Sequence, residues 1–314
     1  MRQLRGLVRC RRSRGYARLS RLAAERLAEG KDWATLENWA KGNGMSWNSW
    51  KVGEVNGIRG AVATRRIRAG EVIVRAPAEA VLLVGPGDEC PLPPEFVEAK
   101  FWDEMQNYWN VRMALRILYE KRLGTASAWK PYIDVMPASF STPLNWSDRE
   151  LAELQFPPLV DELRVERSYF AHEADRLQKH MPDPVTQAEF FWALSCVGSR
   201  TFTADFGDQT PPCEAMCPIA DMVNHNEASA PAFRWDDDSE SFELFSPLAL
   251  EEGEEVCISY GSVNNAHLLH YYGYVLHRIS TLLGRTCRMA AGCFSAASFT
   301  TQLKRITGHR FHRP

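Results

Sequence analysis

Residues 86–199 divide this chain. On either side the apolar pattern is that of strands, and within the stretch it is that of helices. The chain must therefore fold as a β-rich body that carries a helical segment between its two halves, an α+β arrangement. Ahead of the segment, residues 51–55, 61–64 and 71–75 read as short strands joined by Asn56-Gly57-Ile58-Arg59-Gly60 and by Arg68-Ala69-Gly70. Val72 and Val74 alternate with Ile73 and Arg75, which predicts a sheet covered on one face. Beyond the segment, strand character returns at 232–235 and 242–245 around the turn Asp236-Asp237-Asp238-Ser239. A third strand is predicted at 256–260, where Val256, Ile258 and Tyr260 share a face and the phenol is in line with core residues.

The helical part opens on a loop with Pro86, Gly87, Pro91, Pro93 and Pro94, followed by a helical pattern over 96–121 in which Val111, Ala114, Leu115 and Leu118 recur at helix spacing. Ser147-x-x-Glu150 and Thr186-x-x-Glu189 are capping boxes that start two more helices, the second running through Phe190-Phe191-Trp192-Ala193-Leu194. A separate helix begins at Asp32, with Trp33, Leu36 and Ala40 on one face, and ends at Gly42 and Gly44.

Composition narrows the class further. With 314 residues, 45% of them hydrophobic, the chain can bury a substantial core. It contains no apolar run long enough for a membrane-spanning helix. Its cysteines form no C-x-x-C pair, and no histidines fall at zinc-finger spacing, so no metal site is expected. The formal charge of -2 conceals an asymmetry. Residues 1–24 hold Arg2, Arg5, Arg9, Arg11, Arg12, Arg14, Arg18 and Arg21 and no acid, the composition of an organelle transit peptide for plastid or mitochondrion over 1–30. A disordered basic leader or a nucleic-acid arm is the alternative reading. His267, His270 and His277 suit a solvated or packed helix face better than a metal site.

Two short stretches concentrate the chemistry: Asp221-Met222-Val223-Asn224-His225 and Ile258-Ser259-Tyr260-Gly261. Read with Gly57-Ile58-Arg59-Gly60-Ala61-Val62-Ala63, Trp129-x-x-Tyr132-x-x-x-Met136-Pro137, Ser199-Arg200-Thr201-Phe202 and Tyr272-Gly273-Tyr274, the ordered set resembles the SET-domain methyltransferases, and among them the Rubisco large-subunit lysine methyltransferase group. That resemblance implies a β-rich SET fold over 47–276, built of several short sheets and interrupted by the helical insertion at 86–199. It implies S-adenosylmethionine as cofactor, held by Arg59, Ser199, Arg200, Asn224, His225 and Tyr274. Tyr260 would orient the acceptor amine, with Asp221 and Tyr272 lining the substrate side. Trp129 and Tyr132 are expected to serve packing. In the loop, Ile58 stands where the family has a glycine.

The implied activity is transfer of a methyl group to a lysine of a non-histone protein, by a monomer with no nucleic-acid or membrane partner. One branch of the family methylates histidine in actin, and a catalytically inactive interaction module is the rival from another class. The family also implies a helical substrate-binding domain after the SET core. Here residues 277–314 follow, with Arg278, Arg285, Arg288, Lys304, Arg305, Arg310 and Arg313 and no acid, and this tail is expected to be a truncated or atypical form of it.

Overall fold

The computed structural model describes residues 32–55, 58–154, 156–204, 213–230 and 232–275. The expected leader, the basic tail, His277 and Gly57 lie outside the described residues.

α1 (Trp33–Gly42) starts where the Asp32 carboxylate accepts the Thr35 N–H at 2.9 Å, satisfying one of the orphan donors of its first turn. Leu36 and Ala40 are buried beneath it. β1 (Trp50–Val55) and β2 (Ile58–Ala63) then pair antiparallel, from Val55 opposite Ile58 to Trp50 opposite Ala63. The loop expected at 57–60 is thus strand from Ile58 onward, because the backbone of Ile58, Arg59 and Gly60 is taken up by β1. Ile58 adopts a strand conformation with its side chain 56% exposed, so no glycine is needed there.

β3 (Val72–Pro77) carries a bulge between Val72 and Val74. The extra residue breaks the expected alternation, and Ile73 and Val74 are both buried. After β4 (Leu82–Val84) come α2 (Ala99–Glu104), α3 (Trp109–Leu123), α4 (Lys130–Asp134), α5 (Asp148–Ala152), α6 (Pro157–Leu177) and α7 (Gln187–Gly198). The single helix read over 96–121 is two. The buried Arg112 guanidinium donates to the Trp102 carbonyl at 3.0 Å and to the Gly85 carbonyl at 3.1 Å, taking up an acceptor that a continuous helix would give to Gln106. Both capping boxes form as read, at Ser147 and Thr186.

The remaining strands are β5 (Thr201–Ala204), β6 (Cys213–Met216), β7 (Asn224–His225), β8 (Phe233–Asp236), β9 (Ser241–Phe245) and β10 (Glu255–Ile258). They complete three small sheets in the orders β1-β2-β10-β7, β3-β9-β8 and β4-β6-β5. Phe202 of β5 meets Phe233 of β8 and Phe242 of β9 at ring distances of 5.1 Å each, so two of the sheets share an aromatic core. In the remaining sheet β10 lies between β2, antiparallel to it, and β7, parallel to it. The strand read over 256–260 stops at Ile258, which leaves Tyr260 just past its end and half-buried. α8 (Asn265–His267) runs on into a π-helical turn, Leu268–Tyr272. Among the described residues no helix is long and apolar enough to cross a membrane.

One buried acid in this frame has a measurable consequence. Glu214, in the middle of β6 and 8% exposed, accepts a hydrogen bond from Thr203 Oγ1 at 2.6 Å. Burial nevertheless pushes its carboxyl up to about 7 from the ordinary 4.5. The folded chain therefore holds this proton more tightly than the unfolded chain. Its contribution to stability is complete below the ordinary value and is lost as pH rises through about 7. Glu214→Gln is expected to stabilise the protein at pH 8 by up to about 3 kcal/mol and not at pH 4. Thermal melts at the two pH values check this, and equal shifts at both would refute it.

Candidate active site

The approach to the site is strained. Ile219 has φ 69° and ψ -54°, unfavourable for a β-branched residue, and the Ala220 N–H closes a three-residue turn on the Pro218 carbonyl at 2.8 Å. Burial of the Ile219 side chain, 1% exposed, holds this conformation. The 3-10 turn that follows, Ala220–Met222, aims Asp221 into the interior. There Asp221 Oδ2 accepts from the Tyr132 hydroxyl at 2.7 Å and from Arg200 Nη1 at 2.8 Å. The Arg200 and Asp221 side chains are 8% and 0% exposed.

Burial, then the neighbouring carboxylate, holds the Tyr132 phenol well above its ordinary range. Burial alone would draw Arg200 down, but Asp221 and Tyr132 more than offset it, so the guanidinium stays charged. Arg200 Nε and Asp221 Oδ1 are buried and have no hydrogen-bond partner among the described residues. Tyr132 lies in the core and adds a buried hydrogen bond to Asp221, and Trp129 packs 5.3 Å from Trp39.

β7 brings the next pair. Asn224 Nδ2 donates to the Arg59 carbonyl at 2.8 Å and to Glu255 Oε1 at 2.9 Å, stitching β2 to β10. His225 Nδ1 accepts the Tyr260 N–H at 3.0 Å. An imidazolium has no lone pair to do so, and burial indeed lowers the His225 pKa, leaving the ring neutral. The Tyr260 hydroxyl donates to the Val223 carbonyl at 2.8 Å. Its ring lies 4.8 Å from that of Tyr272, which is 6.3 Å from that of Tyr274. Burial, then Tyr272 and Tyr274, raises the Tyr260 pKa, and burial takes Tyr274 to about 12. These two phenols keep their protons at neutral pH.

Arg59 reaches inward from β2, with Nη1 2.8 Å from Met222 Sδ and its guanidinium 5.9 Å from the Trp33 ring. Burial first and the charge of Arg200 second pull it down to about 10, still a cation at neutral pH. Ser199 caps α7, and its hydroxyl donates to the Ser195 carbonyl at 2.7 Å, within its own helix. The expected site residues other than Ser199 thus join in one contiguous cluster, with Ser199 at its border through Arg200. Sequence reasoning missed Glu255 and the Tyr132 hydroxyl. Nothing local in the sequence marks either of them. Among the described residues no group of His, Cys, Asp and Glu could hold a metal ion.

A β-rich body of short sheets with an inward-facing tyrosine at the end of β10 is the architecture of a SET domain. Residues 58–261 match the SET domain family, and the chain belongs to it. Within the family it is similar to the chloroplastic ribulose-1,5 bisphosphate carboxylase/oxygenase large subunit N-methyltransferase of Nicotiana tabacum, 29% identical over 237 residues that cover 69% of this chain and 45% of the relative. It is similar also to the actin-histidine N-methyltransferase of Homo sapiens, 27% identical over 256 residues, 76% of this chain and 41% of the relative. The structure of Rubisco LSMT bound to sinefungin and monomethyllysine superposes with a TM-score of 0.61 at 25% identity, covering 78% of this chain and 56% of that one. The chain spans less than half the length of these curated relatives.

Asp221→Asn leaves the buried Arg200 charge without its carboxylate and is expected to cost about 3–5 kcal/mol in urea unfolding. Tyr132→Phe removes one neutral donor from the same oxygen and is expected to cost about 1 kcal/mol. A cost for Asp221→Asn no larger than that for Tyr132→Phe would show that the charge pair is not what anchors the cluster.

Proposed function

We propose that this chain is an S-adenosylmethionine-dependent protein-lysine N-methyltransferase acting on a non-histone protein. The observation that carries the reading is electrostatic. The protonated phenol of Tyr260 stands within electrostatic reach of two guanidiniums, Arg59 and Arg200, of which Arg200 is paired with the Asp221 carboxylate and Arg59 senses it from further off. Such a site disfavours a further cation. A lysine amine, protonated in water up to about pH 10.4, is driven toward the neutral form it needs as a nucleophile, by lost hydration and by positive neighbours. An imidazole acceptor is already mostly neutral at pH 7 and requires no such device, which favours lysine over histidine.

The residues present suit the cofactor. The unpartnered Asp221 Oδ1 suits the cationic amino group of the cofactor, and the guanidiniums with the unpartnered Arg200 Nε suit its carboxylate. Arg59 and Arg200 would hold that group, with Asn224, His225, Ser199 and Tyr274 shaping the remainder of the pocket. When bound, its sulfonium supplies an electrophilic methyl group for an in-line displacement. Tyr260 spends its hydrogen on the Val223 carbonyl, so the phenol oxygen keeps lone pairs to accept an N–H from the neutral amine. That bond fixes the amine's direction, while the amine's proton has already left to solvent. Alignment and desolvation take the place of a strong base. His225, neutral and bonded to the Tyr260 N–H, holds the tyrosine's backbone in place.

The arginine-rich, acid-free residues 1–24 and the chloroplastic relatives support delivery to an organelle, with plastid the first choice. Binding of S-adenosylhomocysteine in a calorimeter, followed by labelled methyl transfer to lysine and histidine peptides, tests the reading. Tyr260→Phe is expected to lower kcat by about 100-fold or more with cofactor affinity unchanged. Absence of cofactor binding would sink the enzyme reading, and label on histidine alone would transfer it to that acceptor.

A further inference from the structure

The segment that delivers Tyr272 and Tyr274 to the site is short. The π-helical turn Leu268–Tyr272 has a geometry that seldom persists without outside contacts. Gly273 leaves it at φ 75°, so close to the segment around Ser141 that a Cβ there would lie 2.6 Å from Ser141 Oγ and 3.1 Å from the Ser141 carbonyl carbon. On its other side the turn is tied to the helical segment. His270 Nε2 lies 2.6 Å from Glu166 Oε2 of α6, with the two side chains 7% and 15% exposed. The His270 ring stacks on Tyr271 at 4.2 Å and 6°. Tyr272, whose ring meets that of Tyr260, is two residues further along.

We propose that His270 and Glu166 are positioning residues, whose contact seats the π-helical turn on α6 and so sets Tyr272 against Tyr260. The proposal rests on the methyltransferase reading of the site for its kinetic consequence, but not for its structural one. Glu166 and Glu162 face His270 from α6, and His267 faces it from the preceding turn. α7 contributes Gly198, against the Tyr271 ring, and the turn Pro143–Asn145 contributes no titratable group. Burial favours the neutral imidazole, but the hydrogen bond and charge of Glu166, then Glu162, more than offset it and raise the pKa above the ordinary 6.5. His267 is shifted the other way, by burial and then by His270. Because the folded value is the higher one, the tether is fully present below the ordinary histidine pKa and is lost as pH rises through the paired value.

The test uses the full chain as wild type, His270→Gln and Glu166→Gln. With S-adenosylmethionine and a lysine peptide, both variants are expected to raise the peptide KM about tenfold at pH 6, what one charge-assisted hydrogen bond is worth. The ratio to wild type should fall toward one at pH 9, with the Kd for S-adenosylhomocysteine unchanged. Variant and wild-type KM values that stay in constant ratio across this range would overturn the positioning role. NMR titration of the wild-type histidines, with Tyr272 ring signals followed in parallel, is independent of catalysis. A His270 that titrates at or below the ordinary value, or Tyr272 signals that do not move with it, would overturn the tether even if a variant fails to fold. A wild type that binds no cofactor and transfers no methyl while Tyr272 tracks His270 would refute the enzyme reading and leave the tether standing.

Discussion

Asp221 Oδ2 accepts two hydrogen bonds where water does not reach, and three separate parts of the chain meet there. Tyr132 comes from the helical segment, Arg200 from the end of α7, and Asp221 from the strained turn after β6. A buried ion pair contributes little net stability compared with well-packed apolar groups, yet breaking one partner away is severe. Such a contact therefore specifies an arrangement more than it stabilises it. Here it fixes where the helices sit relative to the sheet that carries Asn224, His225 and Tyr260. The positive φ at Ile219, worth roughly 1–3 kcal/mol of strain, is tolerated because that fixed point and the core around it over-determine the turn.

The same cluster sets the electrical character of the site. Two guanidiniums near one carboxylate leave an excess of positive charge in a poorly hydrated place, and burial first and Arg200 second lower the Arg59 pKa. Phenols are suitable neighbours, because burial keeps them uncharged and they can still donate or accept hydrogen bonds. A carboxylate at the position of Tyr260 would stabilise an ammonium and work against the proposed methyl transfer.

Much of the frame was legible in the residues because its determinants are local. Both capping boxes could be read from Ser147, Glu150, Thr186 and Glu189 alone, and the hairpin around Asp236-Asp237-Asp238 from its turn residues. The misreadings share a cause, in that a partner distant in sequence decides the local conformation. Arg112 splits a helix by claiming the Trp102 carbonyl, β1 turns an expected loop into strand at Ile58, and β9 accommodates the bulge at Val72. Within the site, residue types at Asp221, Asn224, His225 and Tyr260 were readable, but their partners were not. Tyr132 is 89 residues from Asp221, and Asn224 is 165 from Arg59. No periodicity reports a contact across such distances.

The threading of β10 between β2 and β7 governs how this protein can come into being. Val62 pairs with Glu255 across most of the described chain, so one edge of β2 waits, unpaired, while everything between is synthesised. The helices, whose contacts are local, can form early, whereas closing the loop that joins β2 to β10 is a long-range and slow step. Tyr260 lies immediately beyond β10, and its hydroxyl finds Val223 only once that strand is seated. The candidate site is thus complete only when the last strand of this sheet is in place.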